Sequence, residues 1–127
     1  MAEMNATGCK AFEASAAIAQ WARVKLESGG TVVTAGLAEK EIGVATREAF
    51  ASGDIIDVRL TSAPGTTKMI AVEALAVGAA VHTEASGKVQ DTAAATSFLV
   101  GTALTAATAD GDIIEVLRNS HGDTANS

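Results

Sequence analysis

The chain has 127 residues, of which 48% are hydrophobic, and its formal net charge is −6 at pH 7. This length suits one domain. The acidic balance argues against nucleic-acid binding, because a protein needs a basic surface to displace counterions from phosphates. Aromatic side chains make up only 3% of the residues, so few large side chains can anchor a core. We therefore expect a homo-oligomer, in which a partner subunit supplies part of the stability.

The first ten residues, "MAEMNATGCK", contain no basic segment followed by an apolar one, so the sequence shows no secretory signal. Residues 1–9 are interpreted as a flexible arm. Cys9 is the single cysteine, which excludes an internal disulfide. We expect it to be a small buried apolar residue.

The rest of the chain consists of two similar sequences, one after the other. Aligning Gly53 with Gly111 places "GDIIDVRL" on "GDIIEVLR", and further upstream "ASAAIAQWARV" faces "AVEALAVGAAV". Self-similarity of this kind indicates two copies of one structural unit. The sequence therefore predicts one domain made of two similar halves.

The boundaries of these halves follow from the same alignment. The domain is predicted over residues 10–118, with halves at 10–60 and 67–118. Between them lies "TSAPGTT", whose Pro-Gly pair indicates a turn. The polar residues 119–127 are interpreted as a flexible tail.

Hydrophobic alternation favours strands over helices. After each Gly-Asp turn, Ile56 and Val58 in the first half, and Ile114 and Val116 in the second, fall on one inward face. "KAFEASA" and "KMIAVEA" also read as strands. Short strands separated by glycine turns predict a mostly β fold, either a small barrel or a sandwich.

Helix is the rival interpretation of "EASAAIAQWARVKLE", since Ala, Gln, Arg, Lys and Glu favour helices. The matching segment of the second half has Gly78 in its middle and several valines, which disfavour helix. Gly78 indicates a turn, so the first half must turn without glycine at Trp21. One short helix is kept as an alternative for residues 42–50 or for their copy.

Residues 92–109 carry no charge and are long enough to raise the question of a membrane span. They align with "GLAEKEIGVATREAFA" in the first half, which is rich in charges. Two copies of one structural unit should have the same environment, so one copy cannot cross a membrane while the other does not. The sequence therefore predicts strands and a turn here, and no membrane partner.

Few residues could carry catalysis or bind a metal. His82 aligns with Lys25 and is expected to face solvent, and His121 lies in the polar tail. The "DGD" before Ile113 invites a calcium interpretation, but the first half has Ser-Gly-Asp there. Asp54 and Asp112 are instead predicted to bind backbone amides in a turn.

The charge run at residues 39–41, "EKE", is expected to be a solvated loop. The chain has no phosphate-binding loop, dinucleotide fingerprint or nucleophile elbow. The sequence thus predicts no enzyme, no cofactor and no metal.

Three short motifs resemble the capsid cement, or head decoration, family of tailed bacteriophages. They are "GKV" at 87–89, "IGVA" at 42–45 and the repeated "GDIIDVRL" phrase. The resemblance covers about residues 14–118. It implies a small β-barrel-like protein, often trimeric, that clamps neighbouring major capsid protein subunits. The implied location is the outer capsid surface of the virion, after synthesis in the host bacterial cytoplasm.

Such a role requires contact residues rather than catalytic ones. The candidates are the aromatic residues Trp21, Phe12 and Phe50, because large aromatic side chains are enriched at interface hot spots. Trp21 departs from the family, in which this turn usually has a glycine or a polar residue. Packing in the core or between subunits is an equally favoured interpretation of Trp21.

Three alternatives stay open. A host-surface or carbohydrate-binding module on a virion would show exposed aromatic residues, of which this chain has few. A small enzyme or metal protein would need converging His, Asp or Glu residues. A non-viral homo-oligomeric structural protein would share the fold but would not bind capsids.

Overall fold

The computed structural model describes residues 7–118, and its regular structure is almost entirely β. The first half contains β1 (Cys9–Glu13), β2 (Arg23–Leu26), β3 (Val32–Thr34), β4 (Gly43–Ala45) and β5 (Ile55–Leu60). The second half contains β6 (Thr66–Ile70), β7 (Ala80–Thr83), β8 (Val89–Gln90), β9 (Leu99–Ala103) and β10 (Ile113–Arg118). The predicted mostly β fold is confirmed. Most of the expected arm and the whole expected tail lie outside the described residues.

Each half forms its own five-stranded antiparallel sheet. The strand orders are β1-β5-β4-β2-β3 and β6-β10-β9-β7-β8, so strands with equivalent positions in the two halves occupy equivalent places. A parallel bridge between Ala14 and Val32 joins the end of β1 to β3, and Ala71 and Val89 form the same bridge in the second half. Each sheet therefore curls until its outer strands meet. The prediction of two similar halves is confirmed.

The alternation in the repeated phrase sets which residues enter the core. In β5, Ile56 and Val58 are buried whereas Ile55 is 60% exposed, and in β10, Ile114 and Val116 are buried in the same way. The inward positions predicted for both strands are confirmed. This pattern is the period of two that a half-buried strand requires.

The turn predicted at Gly78 is present in both halves. Gly78 has a φ of 88°, and Trp21 occupies the equivalent turn with a φ of 70°. Positive φ is easily adopted by glycine, but it is a rare and strained conformation for a bulky residue. The backbone therefore follows the repeat at Trp21, at some energetic cost.

The short helix considered for residues 42–50 is wrong, because these residues hold β4 and a turn. Gly43 lets β4 approach β5 so closely that a Cβ atom there would lie 2.3 Å from the carbonyl oxygen of Arg59. Within residues 7–118, the one helical element is a 3₁₀ turn at Ala85–Gly87. No helix in this described part is long and apolar enough to cross a membrane, and residues 92–109 contain β9.

The two halves have separate cores that exchange side chains at their junction. Val44 of the first half packs in the core of the second, and Ile70 of the second half packs in the core of the first. Trp21 contacts both cores. The halves are therefore joined by apolar packing as well as by the chain.

A buried ionic network also joins the halves. The Arg23 side chain is 0% exposed, and it donates from Nε to the carbonyl of Lys88 at 3.0 Å and from Nη2 to that of Gly36 at 3.2 Å. Its Nη1 lies 3.2 Å from Oε1 of Glu41, whose other oxygen accepts from Arg118 of the second half. The Glu41 carboxylate thus bridges two arginines from different halves.

This network corrects the expectation of a solvated charge run at residues 39–41. Glu41 is only 7% exposed, because it is held between the guanidinium groups of Arg23 and Arg118. Glu39, by contrast, pairs with Lys25 at the surface, where both side chains are about one-third exposed. Only part of the run is therefore solvated.

Glu41 gives the fold a defined acid sensitivity. Burial opposes its charged form, but the charges and hydrogen bonds of Arg118 and Arg23 outweigh this, so the pKa of Glu41 lies below its ordinary value of 4.5. The unfolded chain then binds more protons than the folded one in this range, and stability falls as the pH falls.

We expect the free energy of unfolding to decrease below about pH 4.5 and to keep decreasing until Glu41 is protonated in the folded state. Urea titrations at a series of pH values, on the natural protein and on Glu41→Gln, measure this. The variant should show a shallower acid dependence. Identical slopes for the two proteins would contradict the assignment.

Candidate functional site

The acidic residues of the Gly-Asp turns stabilise their own loops. Oδ2 of Asp54 accepts from the amides of Phe50 at 2.8 Å and Ala51 at 3.2 Å, and Oδ2 of Asp112 accepts from the amide of Thr108 at 2.7 Å. The prediction that both residues bind backbone amides in a turn is confirmed. In residues 7–118, no three His, Cys, Asp or Glu side chains gather where they could hold a metal ion.

His82 and Cys9 differ from expectation. His82 is only 8% exposed, so its predicted solvent exposure is wrong. The pairing of β7 with β9 shifts register between Val81 and His82, where Val100 of β9 is the extra residue. Burial lowers the pKa of His82. Cys9 was expected to be buried but is partly exposed at the start of β1. His121 lies outside the described residues.

A groove of about 730 Å³ lies between the two halves. The first half contributes side chains from β1, β5 and two turns, namely Cys9, Trp21, Thr46 and Arg59. The second half contributes polar side chains that include Thr66, Lys68, Thr105 and Glu115, together with the apolar Ile113. Its volume falls in the range of small-molecule sites. We call this cavity the junction groove.

Trp21 lies at the centre of this arrangement. The Nζ atom of Lys68 lies 5.3 Å from the centre of the indole ring, which is within the range of a cation–π contact. Trp21 also packs against both cores, yet it keeps part of its surface in the junction groove. It therefore acts both as a wedge between the halves and as a wall of the groove.

Charge is unevenly distributed in the junction groove. Arg59 and Lys68 supply two cations, whereas Glu115 supplies one carboxylate, which accepts from the hydroxyl of Thr66 at 2.5 Å. Nη2 of Arg59 donates to the carbonyl of Pro64, but its buried Nε has no hydrogen-bond partner among the described residues. The groove thus has a net positive lining in an acidic protein.

The other aromatic candidates lie elsewhere. Phe50 is 77% exposed and lines a shallow pocket of about 400 Å³ with Ile55. Phe12 packs on the first core, and the Nζ atom of Lys10 lies 6.0 Å from its ring. Neither residue lines the junction groove, so the structure does not bring Trp21, Phe12 and Phe50 together in one site.

Sequence reasoning missed two features of these surfaces. Ile55 and Ile113 are exposed by 60% and 46% at equivalent places in the two halves. The available signal was an isoleucine on the outward face of each alternating strand. The charged lining of the junction groove left no such signal, because its residues come from distant parts of the chain.

The fold defines a class: a small β protein of two equivalent five-stranded halves. One solved structure of this class is the head fiber gp8.5 N base of bacteriophage phi29. The two chains superpose with a TM-score of 0.73 at 18% identity, over 87% of this chain and 92% of that one. At this identity the likeness shows a shared fold. No protein-family model and no curated protein matches the chain.

Proposed function

We propose that this protein is a non-enzymatic structural component of a tailed-phage virion that binds the outer surface of the assembled head. It acts as a homotrimer and clamps neighbouring major capsid protein subunits. The observation that carries the proposal is the likeness in fold to a phage head fiber base over 87% of the chain. The doubled sequence motifs that resemble the cement family support it independently.

The physical logic of this role is mass action. A protein that binds an expanded shell more tightly than an unexpanded one stabilises the expanded form. Many identical weak contacts on a lattice add together through multivalency. Such a function needs no reactive side chain, and it needs surfaces that are apolar enough to bury.

We assign the capsid contact to the exposed surface around Phe50 and Ile55, two apolar side chains that lie among the polar Gln20, Arg47, Glu48 and Asp54. Phe50 is the most exposed large hydrophobic side chain among the described residues, at 77%, and Ile55 beside it is 60% exposed. Exposed apolar patches on soluble proteins mark interaction sites. Trp21 and Phe12, which are partly buried, remain secondary partner-binding candidates.

Sedimentation with purified heads of the encoding phage tests the proposal. The protein is expected to pellet with expanded heads at about micromolar concentration, and less with unexpanded heads. Phe50→Ser should weaken binding by about tenfold, because it removes an aromatic side chain that the capsid would cover.

Leu26→Ser is the matched control. It removes another exposed apolar side chain, 50% exposed on β2, and should leave binding unchanged. Absence of co-pelleting with expanded heads would count against the proposed function. Equal losses in the two variants would instead refute the contact assignment alone.

A further inference from the structure

The junction groove contains a tryptophan where the repeat has a glycine. The equivalent turns contain Trp21 with a φ of 70° and Gly78 with a φ of 88°. A tryptophan held in this conformation carries backbone strain, and such strain persists where the surroundings or the function require the side chain. Packing between the two cores explains why part of the Trp21 side chain is buried. It does not explain why another part of the side chain lines the groove.

The groups around the indole can hydrogen-bond in both directions. Thr46, Thr66 and Thr105 line the junction groove. The Thr46 and Thr66 hydroxyls donate to the carbonyl of Asp57 and to the carboxylate of Glu115, so they can accept from a ligand, whereas the Thr105 hydroxyl accepts from the amide of Glu115 and can donate. A sugar ring presents an apolar face of C–H groups, with hydroxyls around its rim. An aromatic surface bordered by hydroxyls and charged groups is the chemistry that matches it.

The charges in the groove refine the class of ligand. Arg59 and Lys68 outnumber the carboxylate of Glu115. Nε of Arg59 is buried without a partner among the described residues and is closed to a ligand as it is to water, so the groups that can meet a ligand are Lys68 and the rest of the Arg59 guanidinium. A carboxylate on the ligand would accept charge-assisted hydrogen bonds from them.

We propose that the junction groove binds a sugar residue that carries a carboxylate, of the uronic acid class, with its ring against Trp21 and its carboxylate at Arg59 and Lys68. This site is separate from the capsid contact assigned to Phe50. Binding of a sugar in the groove does not depend on the proposed role of the protein at the phage head.

Trp21 provides the measurement, because it is the single tryptophan in a chain without tyrosine. Methyl glucuronide and methyl glucoside differ only in a carboxylate replacing a hydroxymethyl group. Titration with the glucuronide should give a saturable change in tryptophan fluorescence, with half-saturation at about 1–10 mM, as expected for so small a ligand. The glucoside should bind about fivefold more weakly or not at all, because it lacks the charge-assisted hydrogen bond.

Two variants and a second readout complete the test. Arg59→Gln should weaken glucuronide binding by about fivefold, whereas Arg47→Gln, which lines the other pocket, should not. Cys9, the single cysteine, also lines the junction groove, so bound glucuronide should slow its reaction with a thiol reagent.

The outcomes are distinct. A response to the glucuronide that exceeds the response to the glucoside and is lost in Arg59→Gln supports the proposal. No saturable response, or equal responses to both sugars, overturns it and leaves Trp21 as a wedge between the cores. Neither result bears on co-pelleting with heads.

Discussion

Glu41→Gln is expected to destabilise the protein by about 3–5 kcal/mol, the range seen when one partner of a buried ion pair is removed. Arg23 is completely buried and Arg118 largely so. Without the carboxylate, two cations would remain in the interior, and Arg23 would keep only the weaker attraction of Glu39. Urea unfolding at pH 7 measures the loss, provided that the slope of the transition is unchanged.

Glu39→Gln is the control for this change. Glu39 also pairs with a basic residue, Lys25, but both side chains are about one-third exposed. Surface pairs of this kind contribute less than about 1 kcal/mol. A loss below about 1 kcal/mol for Glu41→Gln as well would mean that water reaches the two arginines, contrary to the buried network described above.

Gly101→Ala and Gly43→Ala are each expected to cost about 3 kcal/mol, the upper end of the usual range for overpacking, or to prevent folding. A Cβ atom on Gly101 would lie 2.2 Å from the carbonyl oxygen of Leu117, and one on Gly43 would lie 2.3 Å from that of Arg59. Both obstacles are backbone atoms of a paired strand, which cannot rotate away. Soluble yield and thermal unfolding followed by circular dichroism measure the effect.

Gly29→Ala controls for the loss of a glycine as such. No heavy atom lies within 4 Å of a Cβ built at Gly29, and its φ is not positive. Its stability should therefore stay within about 0.5 kcal/mol of the natural protein. If Gly101→Ala and Gly43→Ala behaved like this control, the close approach of the paired strands would be wrong.

The sequence predicted the architecture well because the fold depends on features that occur in both halves of the sequence. Alternation places Ile56 and Ile114 inward, and Gly78 identifies a turn that Trp21 must share. In both cases the local pattern and its copy agree, and the second copy removes the helical alternative that the first copy allows.

Polar burial could not be predicted in this way. Glu41 is buried because Arg118, near the other end of the described chain, reaches it. His82 is only 8% exposed although the residue aligned with it, Lys25, is about one-third exposed. Neither the burial of Glu41 nor that of His82 has a local sequence signal. The junction groove likewise depends on how the two halves pack.

The bridges that close the two sheets affect how the protein behaves when many copies are close together. Strands with open sides are templates on which further chains can add, and uncontrolled addition leads to fibres. Here Ala14 pairs with Val32 and Ala71 pairs with Val89, so part of the backbone at the edges of each sheet is paired within the same sheet. Many copies crowded together can then stay discrete particles instead of polymerising through their strands.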